Sequence, residues 1–159
     1  MPITPTDKSW MIYGANGFTG RLIAQQAHWR GWKPILAGRN AKAIETMAKE
    51  LNLSSRVFSL ENPHEIDRQL EGVRVVLLCA GPFSKTSKPM LEACLRLGTH
   101  YLDITGEIEV LERIYGMSEL VAKSKSVVIP GVGFDIVTGE CVARHLHDLL
   151  PDADSFEIA

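Results

Sequence analysis

An α/β fold built on one doubly wound parallel sheet is what this sequence predicts, and three observations predict it. Six short apolar or β-branched runs alternate with segments of helical period, and no repeat or low-complexity tract interrupts them. The runs show little polar and apolar alternation, as strands buried on both faces should. The chain has 159 residues and a mass of 17.6 kDa, the usual size of one such unit. Strands separated by helices require right-handed crossovers, and the expected order for six strands is 3-2-1-4-5-6, the Rossmann-type arrangement.

The elements follow in turn. The first strand is expected over Trp10 to Tyr13, and a helix runs from Phe18 to about Arg30, stopped by Gly31. The second strand covers Pro34 to Ala37. The helix after Asn40 places Ile44, Met47, Ala48 and Leu51 at i, i+3, i+4 and i+7, the clearest amphipathic pattern in the chain. A third strand is expected over Arg56 to Leu60. Asn62 then caps a helix with Pro63 in its first position, Glu65 where a capping box wants it and Gly72 beyond its end, turning Ile66 and Leu70 to the sheet.

The fourth strand spans Val73 to Cys79, and the helix that follows carries Leu91, Cys94 and Leu95 before Gly98. The fifth strand spans His100 to Ile104, followed by a helix with Val110, Ile114, Met117 and Val121 on one side. After a sixth strand over Val127 to Pro130, the last helix carries Val142, Leu146 and Leu149 and stops at Leu150-Pro151. Each of these stripes is expected to be a core face. Residues 154–159 either fray as a terminus or, alternating polar and apolar, begin a new half-buried strand, whose open edge would be a template for association and allows a homodimer.

Composition narrows the function. Hydrophobic residues make up 45% and charged residues 23%, the formal charge is -2, and no cluster of Lys and Arg occurs, so nucleic acid is not an expected partner. The longest apolar stretches, Val75 to Phe83 and Val127 to Val132, fall far short of the roughly 20 residues a membrane span needs. The start, MPITPTDKSW, has no apolar signal core, and a cytoplasmic location is expected. Cys79, Cys94 and Cys141 lack CxxC spacing and are expected as buried small hydrophobes, with no metal site. His145 and His147, two apart on a helix, fall on different faces and are expected in solvent.

The chemistry-bearing segment is Gly14-Ala15-Asn16-Gly17-Phe18-Thr19-Gly20, placed directly between the first strand and the first helix. A dinucleotide pyrophosphate is bound by backbone N–H groups at the positive end of a helix, so the chain must turn tightly and keep side chains away. Gly14 would make the turn, Gly17 would admit the phosphate, and Gly20 would let the helix close on the sheet. The spacing is GxxGxxG, one residue longer than the usual GxGxxG. At the end of the second strand, where NAD-specific sites place a carboxylate, the chain has Arg39-Asn40, with Arg39 19 residues past Gly20. A guanidinium there suits a 2′-phosphate and favours NADP over NAD, although an Arg stacked on adenine would not select between them. Ala80-Gly81-Pro82, after the fourth strand, lie across the topological switch point where ligands of such sheets bind.

Taken together, GANGFTG at 14–20, AGR at 37–39, CAGPF at 79–83, GTHYLDITGE at 98–107 and PGVGFDIVTGE at 130–140 resemble the saccharopine dehydrogenase-like family of NAD(P)-binding oxidoreductases over nearly the whole chain. The resemblance implies residues 1–150 as the NAD(P)-binding domain and 151–159 as the start of a separate substrate domain. It implies hydride transfer to a carbonyl, imine or enoyl group of a small-molecule or lipid substrate in the full-length enzyme. The 159-residue chain is then expected to bind cofactor without turning over substrate. The alternative is a non-catalytic NADP-binding sensor or interaction module. The chain departs from many relatives at Thr138, Gly139 and Glu140. No catalytic residue is assigned. Asp103 and Asp135 stand at carboxyl ends of strands, where they could orient substrate or relay a proton or simply cap a turn, and Tyr101 and Glu107 are weaker candidates of the same kind.

Overall fold

A computed structural model describes residues 9–155 and 157. The leader reading of the first residues and the tail strand anchored on Phe156 and Ile158 lie outside them. The elements are β1 (Ser9–Tyr13), α1 (Phe18–Trp29), β2 (Ile35–Gly38), α2 (Ala41–Leu51), β3 (Ser55–Val57), α3 (Pro63–Gln69) and β4 (Val73–Leu78). The second half adds α4 (Phe83–Leu97), β5 (His100–Asp103), α5 (Ile108–Tyr115), α6 (Ser118–Lys123), β6 (Val128–Ile129) and α7 (Phe134–Leu149). All pairings are parallel, and the strand order is 3-2-1-4-5-6, as the sequence predicts.

β1 is central, and its residues Met11, Ile12 and Tyr13 are buried between neighbours on both sides. Met11, Ile12 and Tyr13 align with Ile35, Leu36 and Ala37 of β2 on one side and with Val76, Leu77 and Leu78 of β4 on the other. Period-2 alternation sends Met11 and Tyr13 to one face and Ile12 to the other. The first face packs Ile66 of α3 and Leu70 at its end, Met90, Leu91 and Cys94 of α4, and Val110 and Ile114 of α5. The second packs Ala24 of α1 with Ile44, Met47 and Ala48 of α2.

Helix ends are set by the residues the sequence offered. Asn40 accepts the Ala43 N–H at 3.1 Å, and Asn62 accepts from His64 at 3.0 Å and Glu65 at 3.4 Å. The capping box at α3 is not closed: the Glu65 carboxylate turns along the helix to Gln69 (2.8 Å) and Arg68 (2.6 Å) instead of back to the cap. Those two hydrogen bonds hold Glu65 below the ordinary carboxylate value. Past the helices, Gly31, Gly72 and Gly98 take φ of +73°, +73° and +70°. Such left-handed conformations are ones that side chains resist.

Three expectations are corrected. The helix carrying Val110 to Val121 is two, because the chain breaks at Gly116-Met117 between α5 and α6. α7 does not present a core face: it has no buried residue, and Val142, Leu146 and Leu149 stand 52%, 39% and 63% exposed. Its stripe has the period of a core helix, but no partner surface meets it among the described residues. Cys141, on the same helix, is likewise exposed, whereas Cys94 is buried and Cys79 half-buried. His145 and His147 are both exposed, as expected. Among the described residues, no helix is long and apolar enough to cross a membrane.

Two measurements separate the packed from the unpacked parts. In urea unfolding, Ile44→Ala should cost about 2–5 kcal/mol because it empties a fully buried site, whereas Leu149→Ala should stay within about 0.5 kcal/mol. Burial pushes the Cys79 and Cys94 thiols up to about 12, so at pH 8 only about one in ten thousand is ionised. Brief treatment with iodoacetamide at that pH should therefore label Cys141 and spare the other two, as read by peptide mass spectrometry.

Candidate functional site

At the carboxyl ends of β1, β2, β3 and β4 the loops diverge around a cavity of about 630 Å³. Of the residues singled out from sequence, Gly14, Asn16, Gly17, Arg39, Asn40, Ala80, Gly81 and Pro82 line it. Ala15, Phe18, Thr19 and Gly20 do not.

Geometry explains the division. Gly14 turns the chain at φ +85°, and a Cβ there would stand 2.7 Å from the Ala80 nitrogen and 2.9 Å from its Cα and Cβ. The first glycine is therefore demanded twice, by its backbone angle and by the β4–α4 loop pressed against it. A Cβ on Gly20 would stand 2.3 Å from the Gly14 carbonyl oxygen, so its place in the motif is to let α1 sit on the turn. Gly14 and Ala15 donate their N–H groups to the Ala37 carbonyl at 2.8 and 3.1 Å, and Gly17 donates to Gly14 at 3.0 Å. Those amides are committed within the fold, and Ala15 is wholly buried.

The amides left for a ligand are those of the first turn of α1. The first i→i-4 bond joins Arg21 to the Gly17 carbonyl at 2.9 Å, so the N–H groups of Phe18, Thr19 and Gly20 precede the helical ladder. Gly17, the N-cap, contributes no side-chain cap. The Phe18 side chain is 84% exposed and points away from the core.

Arg39 and Asn40 stand on the β2 side of the cavity, exposed. The positive charge of Arg39 reaches the Tyr13 phenol, which burial nonetheless pushes up to about 12 and whose hydroxyl donates to the Phe58 carbonyl at 3.0 Å. Gly38 keeps this corner open: a Cβ there would lie 3.1 Å from Asn16 Oδ1.

The sequence reading missed the far wall, formed by Ser59, Leu60 and Glu61 after β3 and by Lys85 and Thr86 in the first turn of α4. Its signal was topological: β3 ends on the same sheet edge, and α4 starts directly after CAGPF. Thr86 Oγ1 donates to the Ala80 carbonyl at 2.6 Å, Cys79 N–H donates to Tyr13 at 2.7 Å, and the Gly81–Pro82 peptide is cis.

Asp103 does not face the cavity. It is fully buried, and its carboxylate accepts from the Tyr101 hydroxyl at 2.6 Å, the Thr105 amide at 3.0 Å and the Gly131 amide at 2.9 Å. With no open valence toward solvent, it ties the loops after β5 and β6 together and cannot orient a substrate. Tyr101 is buried with it. Asp135 sits exposed in the first turn of α7. Glu107 accepts the backbone N–H groups of Phe83 at 2.6 Å and Ser84 at 2.8 Å, so it caps α4 from another loop. Desolvation works to raise its carboxyl, but the two amides, helped by Arg113, outweigh that and hold it below the ordinary value.

Comparison with known proteins agrees with this architecture. The family model described as the saccharopine dehydrogenase NADP binding domain matches residues 10–129. A saccharopine dehydrogenase-like oxidoreductase of Bos taurus is 31% identical over 150 residues, covering 82% of this chain and 35% of that protein. A trans-acting enoyl reductase of Mycobacterium ulcerans is 26% identical over 157 residues, covering 94% of this chain and 38% of that protein. The chain thus spans little more than a third of the length of these curated relatives. Apo saccharopine dehydrogenase (L-Glu forming) from Saccharomyces cerevisiae superposes with a TM-score of 0.77 at 16% identity, covering 92% of this chain and 32% of that one, a likeness of fold alone. By the match to its family model over most of its length, this chain belongs to the saccharopine dehydrogenase NADP-binding domain family.

Proposed function

We propose that residues 1–150 bind NADPH across the cavity and present it for hydride transfer to a carbonyl, imine or enoyl acceptor. One observation carries the reading: Gly14 has no room for a Cβ against Ala80, while the first-turn amides of α1 and the Arg39 guanidinium stand at the same sheet edge. A pyrophosphate fits this donor set because helix N-termini stabilise anions, and a cavity of about 630 Å³ lies in the ordinary range for cofactor sites.

In this reading each residue has a task. The amides of Phe18, Thr19 and Gly20 hold the pyrophosphate, with Gly17 leaving the approach open. Arg39, beside Asn40, pairs with the 2′-phosphate, a bidentate contact that NADH cannot offer. Ala80, Gly81 and Pro82 give a wall without long side chains, along which the ribose can lie. The bound nicotinamide supplies the hydride; the protein supplies position and electrostatics.

We place the acceptor site in a further region that follows residue 150 in the whole protein. The length of the curated relatives supports this, as does the apolar stripe of α7, which needs a cover. Relatives named as oxidoreductases and as an enoyl reductase favour an enzyme over a non-catalytic sensor. A carbon–carbon double bond is thus one acceptor this reading admits.

Calorimetry with NADPH and NADH tests it. NADPH should bind well below millimolar, that is with more than about 4 kcal/mol of association free energy, and more tightly than NADH. Arg39→Asp should weaken NADPH by on the order of 1 to 3 kcal/mol while leaving NADH nearly unchanged. Equal loss for both cofactors would remove the 2′-phosphate role from Arg39 and leave adenine stacking in its place.

A further inference from the structure

We propose that Glu107 is a positioning residue for the cofactor: from outside the cavity, its carboxylate fixes the β4–α4 loop at the spacing from the Gly14 turn that the dinucleotide needs. The proposal rests on the NADPH reading above.

The loop from Cys79 to Pro82 is held on two sides. Toward β1 it cannot move closer, because the Ala80 backbone already occupies the space a Gly14 Cβ would take. Moving away is resisted at the far end. α4 begins at Phe83 with Pro82 as N-cap, which has no side chain able to cap it. Glu107, 24 residues downstream of Phe83, supplies that cap, one oxygen to Phe83 N–H at 2.6 Å and the other to Ser84 N–H at 2.8 Å. A carboxylate at a helix N-terminus is favoured by both the charge-assisted hydrogen bonds and the dipole. Within the loop, Thr86 Oγ1 draws the Ala80 carbonyl toward the first turn of α4 at 2.6 Å, so a shift of that turn carries Ala80 with it.

Glu107 can act as an anchor because its own backbone is rigid. Its N–H donates to Thr105 Oγ1 at 3.1 Å, the Thr105 N–H donates to Asp103 at 3.0 Å, and both Thr105 and Asp103 are fully buried. The chain of contacts therefore runs from the buried carboxylate of Asp103 to the cavity wall. Arg113 of α5 adds attractive charge near Glu107 and donates to Ser87 of α4, joining the two helices behind the cap.

The test uses the full 159-residue chain with Glu107→Ala and the isosteric Glu107→Gln. NADPH and NADH affinities, urea midpoints and hydrogen exchange at residues 79–84 are measured with and without formate, against chloride at equal ionic strength. Glu107→Ala should bind both cofactors about tenfold more weakly, by the same factor because the loop does not read the 2′-phosphate. Formate should restore most of the loss by seating on the Phe83 and Ser84 amides, and chloride should not. A purely structural role would give a lower urea midpoint with no rescue by formate, and unchanged affinity in Glu107→Ala would overturn the proposal outright. If Glu107→Ala does not fold, Glu107→Gln decides: faster exchange at Phe83 and Ser84 with weaker NADPH binding supports it, and wild-type values for both sink it. If the wild-type chain binds no NADPH, the cofactor reading fails by itself. Exchange at residues 79–84 in Glu107→Ala, slowed again by formate or not, then decides whether Glu107 positions the loop.

Discussion

The close approach of the Gly14 turn to the backbone of Ala80 organises the loops at the carboxyl edge of the sheet. It follows from the sheet order. Because β2 lies on one side of β1 and β4 on the other, the chain leaving β1 must bend at once into α1 while the chain leaving β4 passes beside it. A side chain at position 14 would force the two loops apart, and the crevice between them would lose its floor. Gly20 solves the same problem one turn later, where α1 must sit on the Gly14 carbonyl. Both glycines serve packing, and the amides of the motif that stay outside the fold's own hydrogen bonds are those of Phe18, Thr19 and Gly20.

That division changes how the glycine motif is understood here. A motif reading treats residues 14–20 as one phosphate-binding unit, yet the amides of Gly14, Ala15 and Gly17 are consumed by carbonyls of Ala37 and Gly14. Backbone groups buried beside a sheet must find partners, and in this turn they find them within the fold. In the proposed NADPH reading, anion binding falls to the first turn of α1, where helix geometry leaves amides outside the helical ladder. Among the residues that line the cavity, Arg39 and Lys85 carry positive charge and Glu61 opposes them.

Much of this was legible in the sequence, and the reason is local. Asn40 and Asn62 announce their helices because a short side-chain acceptor at that position has one thing to bond, and the glycines at 31, 72 and 98 announce the ends. The strand order was expected from the alternation of elements taken with the doubly wound arrangement that crossover handedness favours. What stayed hidden depends on contacts between distant segments. Nothing near Glu107 in sequence says that it caps a helix 24 residues earlier, or that Asp103 is sealed among Tyr101, Thr105 and Gly131. Ser59, Leu60 and Glu61 join the cavity only because β3 ends on its edge. Glu65 shows the opposite failure, a local rule satisfied in sequence and outcompeted by Gln69 and Arg68.

The two faces of the sheet are unequally covered, and this decides what α7 means. On the face of α3, α4 and α5, cover extends from β2 out to Tyr101 of β5, with Val128 of β6 packed at its margin. On the other face α1 and α2 seal Ile12 and Leu36, but burial declines outward: Leu77 of β4 is 9% exposed, Leu102 of β5 is half-buried, and Ile129 of β6 is 47% exposed. A parallel sheet is stable when both faces are covered, so the bare stretch over β5 and β6 is an energetic deficit located at one corner of the domain. α7 follows β6 and carries apolar residues at helical spacing, none of them buried among the described residues. Burial of a Leu- or Val-sized side chain stabilises by about 1.5–3 kcal/mol, so a surface that covered Val142, Leu146 and Leu149 would be held firmly. The helical period of that stripe is that of a core-facing helix, yet the packed core of the described residues leaves it exposed. The same period in α2, with Ile44, Met47 and Ala48 under the sheet, shows what such a stripe becomes once its partner is present.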